Sequence, residues 1–225
     1  MPRLKRNAMD DGFQPELAEG ASFDGLLEMP VIKRSDEIVI PTRMVPFSKR
    51  KYATSSDLVC FNELDPVFSD VVKDPASFVG ELKGAVGVTS TDNSLYFDCP
   101  LAVQIANTYR NRVIGHFFQK NGLNVIPLIR WSDERTYTTV FLPEKLAFLG
   151  VEKNAVVSVG TFGAIQTRKE KYHFKAGLEA MLEELAPVAV LVYGSKPANI
   201  FSEYESCTKF IQYSDWTTLM KGGDR

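Results

Sequence analysis

Short apolar runs alternate with longer segments of helical spacing along most of this chain. Leu58–Phe61, Ala85–Thr89, Leu123–Trp131, Ala155–Val159 and Val188–Tyr193 are rich in Val, Ile and Leu. Runs with no polar alternation are the mark of strands buried on both faces, as in parallel sheets. Between them lie helical patterns. Leu101, Ile105, Tyr109, Val113 and Phe117 recur every four positions and predict the longest helix, which Asn121-Gly122 ends. Lys169–Leu185 predicts a second, with Phe174, Leu178, Met181, Leu182 and Leu185 inward and Pro187 as its stop. Asp65-Pro66, Asp74-Pro75 and Asp98-Cys-Pro100 read as helix starts with a capping Asp. Thr138–Leu142 and Pro143–Leu149 read as a short strand and helix, and Phe210–Tyr213 as a short last strand.

Strand–helix alternation of this kind gives an α/β fold. Its sheet is predominantly parallel and is built from successive βα units with right-handed crossovers. An open doubly wound sheet and an incomplete barrel both satisfy the pattern. Residues 1–36 are polar and irregular and are expected to form an N-terminal arm. Residues 37–225 are expected to form a single α/β domain, with Glu37–Pro46, which carries two prolines, along a sheet edge.

Each strand ends in polar residues: Asn62–Asp65, Asp92–Tyr96, Arg130–Asp133, Thr161–Gly163 and Tyr193–Lys196. In parallel α/β sheets these ends share one edge, where such folds build their sites. Asp92, Asp133 and Tyr193 are therefore the candidate catalytic groups. Ser94, Tyr96, Arg130, Trp131, Thr161 and Ser195 are the candidate ligand-binding groups. Asp92 either acts as a base or forms a turn with Ser94, while Asp98 is expected to cap the long helix. Arg130 beside Trp131 can bind an anion and stack a planar group. Alternatively, Arg130 pairs with Asp133 or Asp92 and Trp131 is a hydrophobic plug. Gly160-Thr-Phe-Gly163 lacks a dinucleotide or Walker spacing and reads as a tight turn. Tyr193-Gly-Ser195-Lys196 lacks a nucleophile elbow.

Composition narrows the classes. Net charge is −2, from 26 basic and 28 acidic side chains, which does not favour broad nucleic-acid binding. The basic segment Thr167–Lys175 reads as a solvated helix face, and a minority reading makes Lys169, Lys171, Lys175, Arg110 and Arg112 a surface for an anionic partner. The three cysteines, Cys60, Cys99 and Cys207, are far apart and fit small hydrophobes in a reducing cytoplasm. No Cys/His spacing resembles a zinc site, so no metal is expected, and no motif names a cofactor. Basic Met1–Arg6 is followed by Asn7–Gly12, not an apolar stretch, so neither a signal peptide nor a membrane span is expected.

Thr91-Asp-Asn-Ser-Leu-Tyr-Phe-Asp-Cys-Pro100 resembles the pattern Pro-Asp-Phe-Ser-Leu-Tyr-x-Asp-x-Pro of DUF4417 proteins, a family of unknown function. Gln104, Asn107–Arg112, Val125–Trp131, Gly160–Gly163 and Val192–Ser195 fit the same resemblance, which runs from about Met44 to Trp216. Thr91, Asn93, Ser132 and Phe162 depart from it, the last at a position often His. The resemblance implies an origin in bacteria, phages or integrated elements and no activity. Three expectations follow from the residues. The first is a ligand-binding or catalytic pocket at the strand ends for a small anionic or nucleotide-like ligand. The second is a non-enzymatic protein that binds a host or replication partner. The third is a nucleic-acid binder using Lys169, Lys171, Lys175, Arg110 and Arg112, against which the net charge weighs.

Overall fold

A computed structural model describes residues 14–222. The first part of the expected arm, residues 1–13, lies outside the described residues. The remainder of the arm contains a 3-10 turn at Pro15–Ala18 and a small antiparallel pair, β1 (Phe23–Asp24) and β2 (Met29–Pro30).

The rest is a parallel α/β fold. Strands β3 (Met44–Pro46), β4 (Leu58–Cys60), β5 (Gly87–Thr89) and β6 (Val125–Ile126) form one parallel sheet. Strands β7 (Val156–Gly160), β8 (Ala189–Tyr193) and β9 (Lys209–Tyr213) form another. A parallel bridge between Leu128 and Ser158 joins the two. Ile129 N–H donates to the Ser158 carbonyl at 2.8 Å, and Ser158 N–H to the Pro127 carbonyl at 2.9 Å. The strands thus follow one another in chain order from β3 to β9, with no reversal of the kind that defines a doubly wound sheet.

The two faces of the strands separate by alternation. Val59, Phe61, Val88 and Val125 pack with Phe68, Val113, Ile114 and Phe118 on one outer core. Val157, Val159, Val190 and Val192 pack with Phe174, Leu178 and Met181 on another. The opposite face gathers Met44, Leu58, Cys60, Ile126, Leu191, Tyr193 and Tyr213 into one apolar cluster. That cluster joins the first strand of the order to the last, which requires the sheet to curl. Tyr213 adds a hydrogen bond across the gap, its hydroxyl donating to the Pro41 carbonyl at 2.9 Å. No ladder joins β3 to β9, so the sheet is not closed. The architecture is the incomplete barrel, with a lumen face and a helix-covered outer face.

Helices follow the strands. Short α1 (Ser69–Lys73) and α2 (Val79–Leu82) lie after β4, α3 (Leu101–Lys120) after β5 and α4 (Glu134–Tyr137) after β6. The second long helix, α5 (Arg168–Leu185), follows β7. Last come α6 (Ala198–Phe201) and α7 (Trp216–Gly222). Fully buried Phe61, Phe68 and Phe118 anchor the outer core, each contributing about 1.5–3 kcal/mol of burial.

Local chemistry departs from the sequence reading at several points. Asp74 caps as expected, accepting from Ser77 N–H at 3.3 Å. Asp65 does not cap: its carboxylate accepts from the Ser94 hydroxyl and N–H instead. Asp98 does not cap α3 either, whose N-cap is Pro100 with no side-chain bond. A proline there lacks only an N–H that the helix start would leave unpaired. Thr138–Leu142 forms no strand. The Leu123–Trp131 run pairs as a regular strand only at Val125–Ile126, because Pro127 has no N–H to continue the ladder. The start of α5 is a capping box in which Thr167 and Glu170 satisfy each other's backbone N–H.

Candidate functional site

A cavity of about 150 Å³ opens where β6 and β7 end, between the loop after β5 and the start of α5. Its walls include Leu95, Tyr96, Phe97, Leu128, Arg130, Trp131, Gly160, His173 and Phe174. It lies at the carboxyl ends of the parallel strands, the edge that α/β barrels use.

Arg130 and Trp131, at the end of the run that β6 begins, have different surroundings. Trp131 turns to the outer face, where its ring lies 5.2 Å from Phe174 and 6.5 Å from Phe148. Its indole N–H donates to the His173 carbonyl at 3.1 Å. Trp131 is therefore both a core plug and a cavity wall. Arg130 is one-quarter exposed and donates from Nη1 to both oxygens of Asp92, at 3.1 and 2.9 Å. Its Nε and Nη2 bond no described residue. Asp92 is 5% exposed, and burial pushes its carboxyl above the usual range despite the opposing pull of Arg130.

The other expected residues have distinct places. Tyr96 lines the cavity and is half exposed. Ser94 is held by Asp65 and does not line it; Asn107 donates to the Ser94 carbonyl at 2.8 Å. Asp133 caps α4 and pairs with Arg135 at 2.8 Å. Burial would raise its carboxyl, but the bonds from Arg135 outweigh that and hold it below the usual range. Thr161 ties two strand ends together, donating to the Ser195 carbonyl at 2.7 Å, and Ser195 itself is exposed. Tyr193 points into the lumen, where its hydroxyl accepts from Trp216 N–H at 3.1 Å and burial raises its pKa. Arg130, Trp131 and Tyr96 thus meet at one cavity, with Asp92 behind Arg130. Asp133, Tyr193, Ser94, Thr161 and Ser195 do not line it.

The sequence reading passed over His173, Phe97 and Glu170. Glu170, His173 and Phe174 are spaced as one face of a helix, and that spacing was the available signal. The basic residues around them read as a solvated face. His173 is 8% exposed; its Nδ1 is 2.9 Å from the Tyr137 hydroxyl and 3.7 Å from the Glu134 carboxylate. Phe97 stands 5.1 Å from the imidazole, and Lys169 Nζ lies 4.7 Å from the centre of the Phe97 ring. Among the described residues no group of three or more His, Cys, Asp or Glu side chains is placed to hold a metal. Among the described residues no helix is long and apolar enough to cross a membrane.

Arg112 is 2% exposed and cannot belong to a basic surface. Its guanidinium donates to the carbonyls of Leu149, Ala147 and Leu128 and to the Asn111 side chain, pinning α3 to the loops beneath it. Lys175 is paired with Glu203 at 2.8 Å.

The chain belongs to the DUF4417 family, a domain of unknown function whose family model matches residues 21–214. It is similar to the Gene 1 protein of Mycobacterium phage D29, 27% identical over 146 residues that cover 64% of this chain and 52% of that protein. It is also similar to the Gene 1 protein of Mycobacterium phage L5, 25% identical over 127 residues, with 56% and 52% covered. The chain spans about half the length of these relatives. No solved structure matches it. Both of these relatives are phage proteins.

Proposed function

We propose that the protein binds a small anionic ring compound in the cavity at the carboxyl ends of its parallel strands. The observation that carries this is the half-used guanidinium of Arg130. Asp92 fixes Nη1, and Nε and Nη2 remain as a preorganised fork for a carboxylate or phosphate oxygen pair. Tyr96, Phe97, Trp131 and Phe174 supply flat apolar walls. A cavity of about 150 Å³ has room for one six-membered ring. In this reading Asp92 is the positioning residue of Arg130, because both its oxygens already accept from that side chain.

A thermal scan with benzoate, phenyl phosphate and neutral benzamide tests the proposal. At about 100 times its dissociation constant a true ligand adds about 2.7 kcal/mol, or roughly 5–10 °C for a chain of this size. The anions should stabilise, benzamide should not, and Arg130→Ala should erase the difference. A flat response to all three compounds rejects the pocket and favours a protein that acts through a macromolecular partner.

A further inference from the structure

His173 stands on α5 and is 8% exposed. Three rings and one hydrogen bond hold its imidazole. Phe97 and Tyr172 each lie 5.1 Å from it and Tyr137 lies 6.2 Å away, with the Tyr137 hydroxyl 2.9 Å from Nδ1. The Glu134 carboxylate, 3.7 Å from Nδ1, favours the tautomer with the proton on that nitrogen. Nε2 is then an acceptor, and it bonds no described residue. Among the described residues, the fully buried side-chain atoms without a partner belong to Asn62 and Ser158. Nε2 of His173 is not one of them, so it keeps contact with solvent. The bond to Tyr137 accounts for the burial of Nδ1 and leaves Nε2 without a role in the fold.

His173 and Arg130 both line the one cavity, whose volume is about 150 Å³. Nε and Nη2 of Arg130 are unpaired and not fully buried in the same sense. A ring that fills so small a space meets both walls. One wall offers donors to an anion and the other offers an acceptor. We propose that Nε2 of His173 accepts a hydrogen bond from a hydroxyl on the ring whose acid group Arg130 anchors. The ligand is then a hydroxylated aromatic acid. The inference rests on the anion pocket proposed above and adds the second polar group of the ligand.

Hydroxybenzoates and fluorobenzoates test it, since fluorine nearly matches a hydroxyl in size and has no proton to donate. Titration calorimetry on the wild-type chain should show 3- or 4-hydroxybenzoate binding about three- to tenfold tighter than its fluoro counterpart, the range of one net hydrogen bond. His173→Phe keeps a ring among the aromatic walls and should bring that ratio near one. Nitrogen-15 NMR of the wild-type protein gives a measurement that does not depend on this variant folding. The chain has two histidines, and His116→Gln identifies the His173 signals by elimination. The His173 Nε2 signal should move on adding the preferred hydroxybenzoate and move far less with its fluoro counterpart. Equal affinity within both pairs, with Nε2 responding alike to hydroxyl and fluorine, overturns the role of His173 and leaves the anion pocket standing. A preference that survives in His173→Phe also overturns it, because another group then reads the hydroxyl. Failure of all four compounds to bind overturns the pocket and this inference with it.

Discussion

Both carboxylate oxygens of Asp92 accept from a single nitrogen of Arg130, Nη1. A pair serving stability alone gains most from the fork-to-fork arrangement, with two nitrogens on two oxygens. Here the carboxylate takes one arm of the guanidinium and leaves Nε and Nη2 without a bond to a described residue. The geometry favours holding Arg130 over neutralising it.

This pair has a pH signature. Arg130→Ala leaves Asp92 buried and unpaired, at a cost of about 1–3 kcal/mol near neutral pH. Asp92 already sits above the usual carboxyl range because of burial, and losing Arg130 raises it further. A carboxyl raised in the folded state binds more protons than the unfolded chain. Stability therefore falls as pH rises from about 4 to the folded value, and stays level above it. Urea titrations of Arg130→Ala should show the loss shrinking toward pH 4. The double variant Arg130→Ala with Asp92→Asn should recover part of it at pH 7. A loss independent of pH, unrelieved in the double variant, would show that the packing of Arg130 matters and its charge does not.

The order of elements was readable, and the reason is local. Leu58–Cys60, Ala189–Tyr193 and Arg168–Leu185 follow from unbroken apolar runs and helical spacing, which tertiary contacts did not override. The curl of the sheet was not readable, because it depends on Met44 and Tyr213 sharing a lumen cluster across the whole chain. Pro127 hid the brevity of β6: the sequence shows an apolar run, while pairing depends on N–H groups. Asp98 looked like a cap because Asp before Pro often is one, yet α3 starts at Leu101 without it. At the cavity, Arg130 and Trp131 were legible from type and position. His173 was not, since it sits among lysines that read as a solvated helix face.

A pair with the opposite pH dependence lies at the other end of the strands. Asp57, 1% exposed, accepts from Arg43 at 2.6 Å and from the Thr54 hydroxyl and N–H at 2.8 Å. Burial alone would raise its carboxyl, but these bonds outweigh burial and lower it. A carboxyl lowered in the folded state contributes stability above its unfolded value, near 4, and that contribution disappears as pH falls through the folded value. Asp57→Asn should cost about 1–3 kcal/mol at pH 7. It should also flatten the stability curve below pH 4 relative to wild type. Parallel curves for the two proteins across that range would exclude Asp57 as a source of acid sensitivity.

Gly177, on the face of α5 that meets Trp131, tests how the cavity wall is held. A Cβ there would collide with the indole, Nε1 included. Gly177→Ala should raise the helix propensity of α5 and still destabilise the protein by about 1–3 kcal/mol, because the gain from Ala is smaller than the cost of overpacking. The displaced indole loses its bond to the His173 carbonyl. With only two tryptophans in the chain, a Trp216→Phe background reports Trp131 alone. Its emission should shift to the red in Gly177→Ala as the ring moves toward the cavity, and ligand-induced stabilisation should fall with it. Unchanged emission and stability would mean that α5 yields by moving away from the sheet and the wall formed by Trp131 is not rigid.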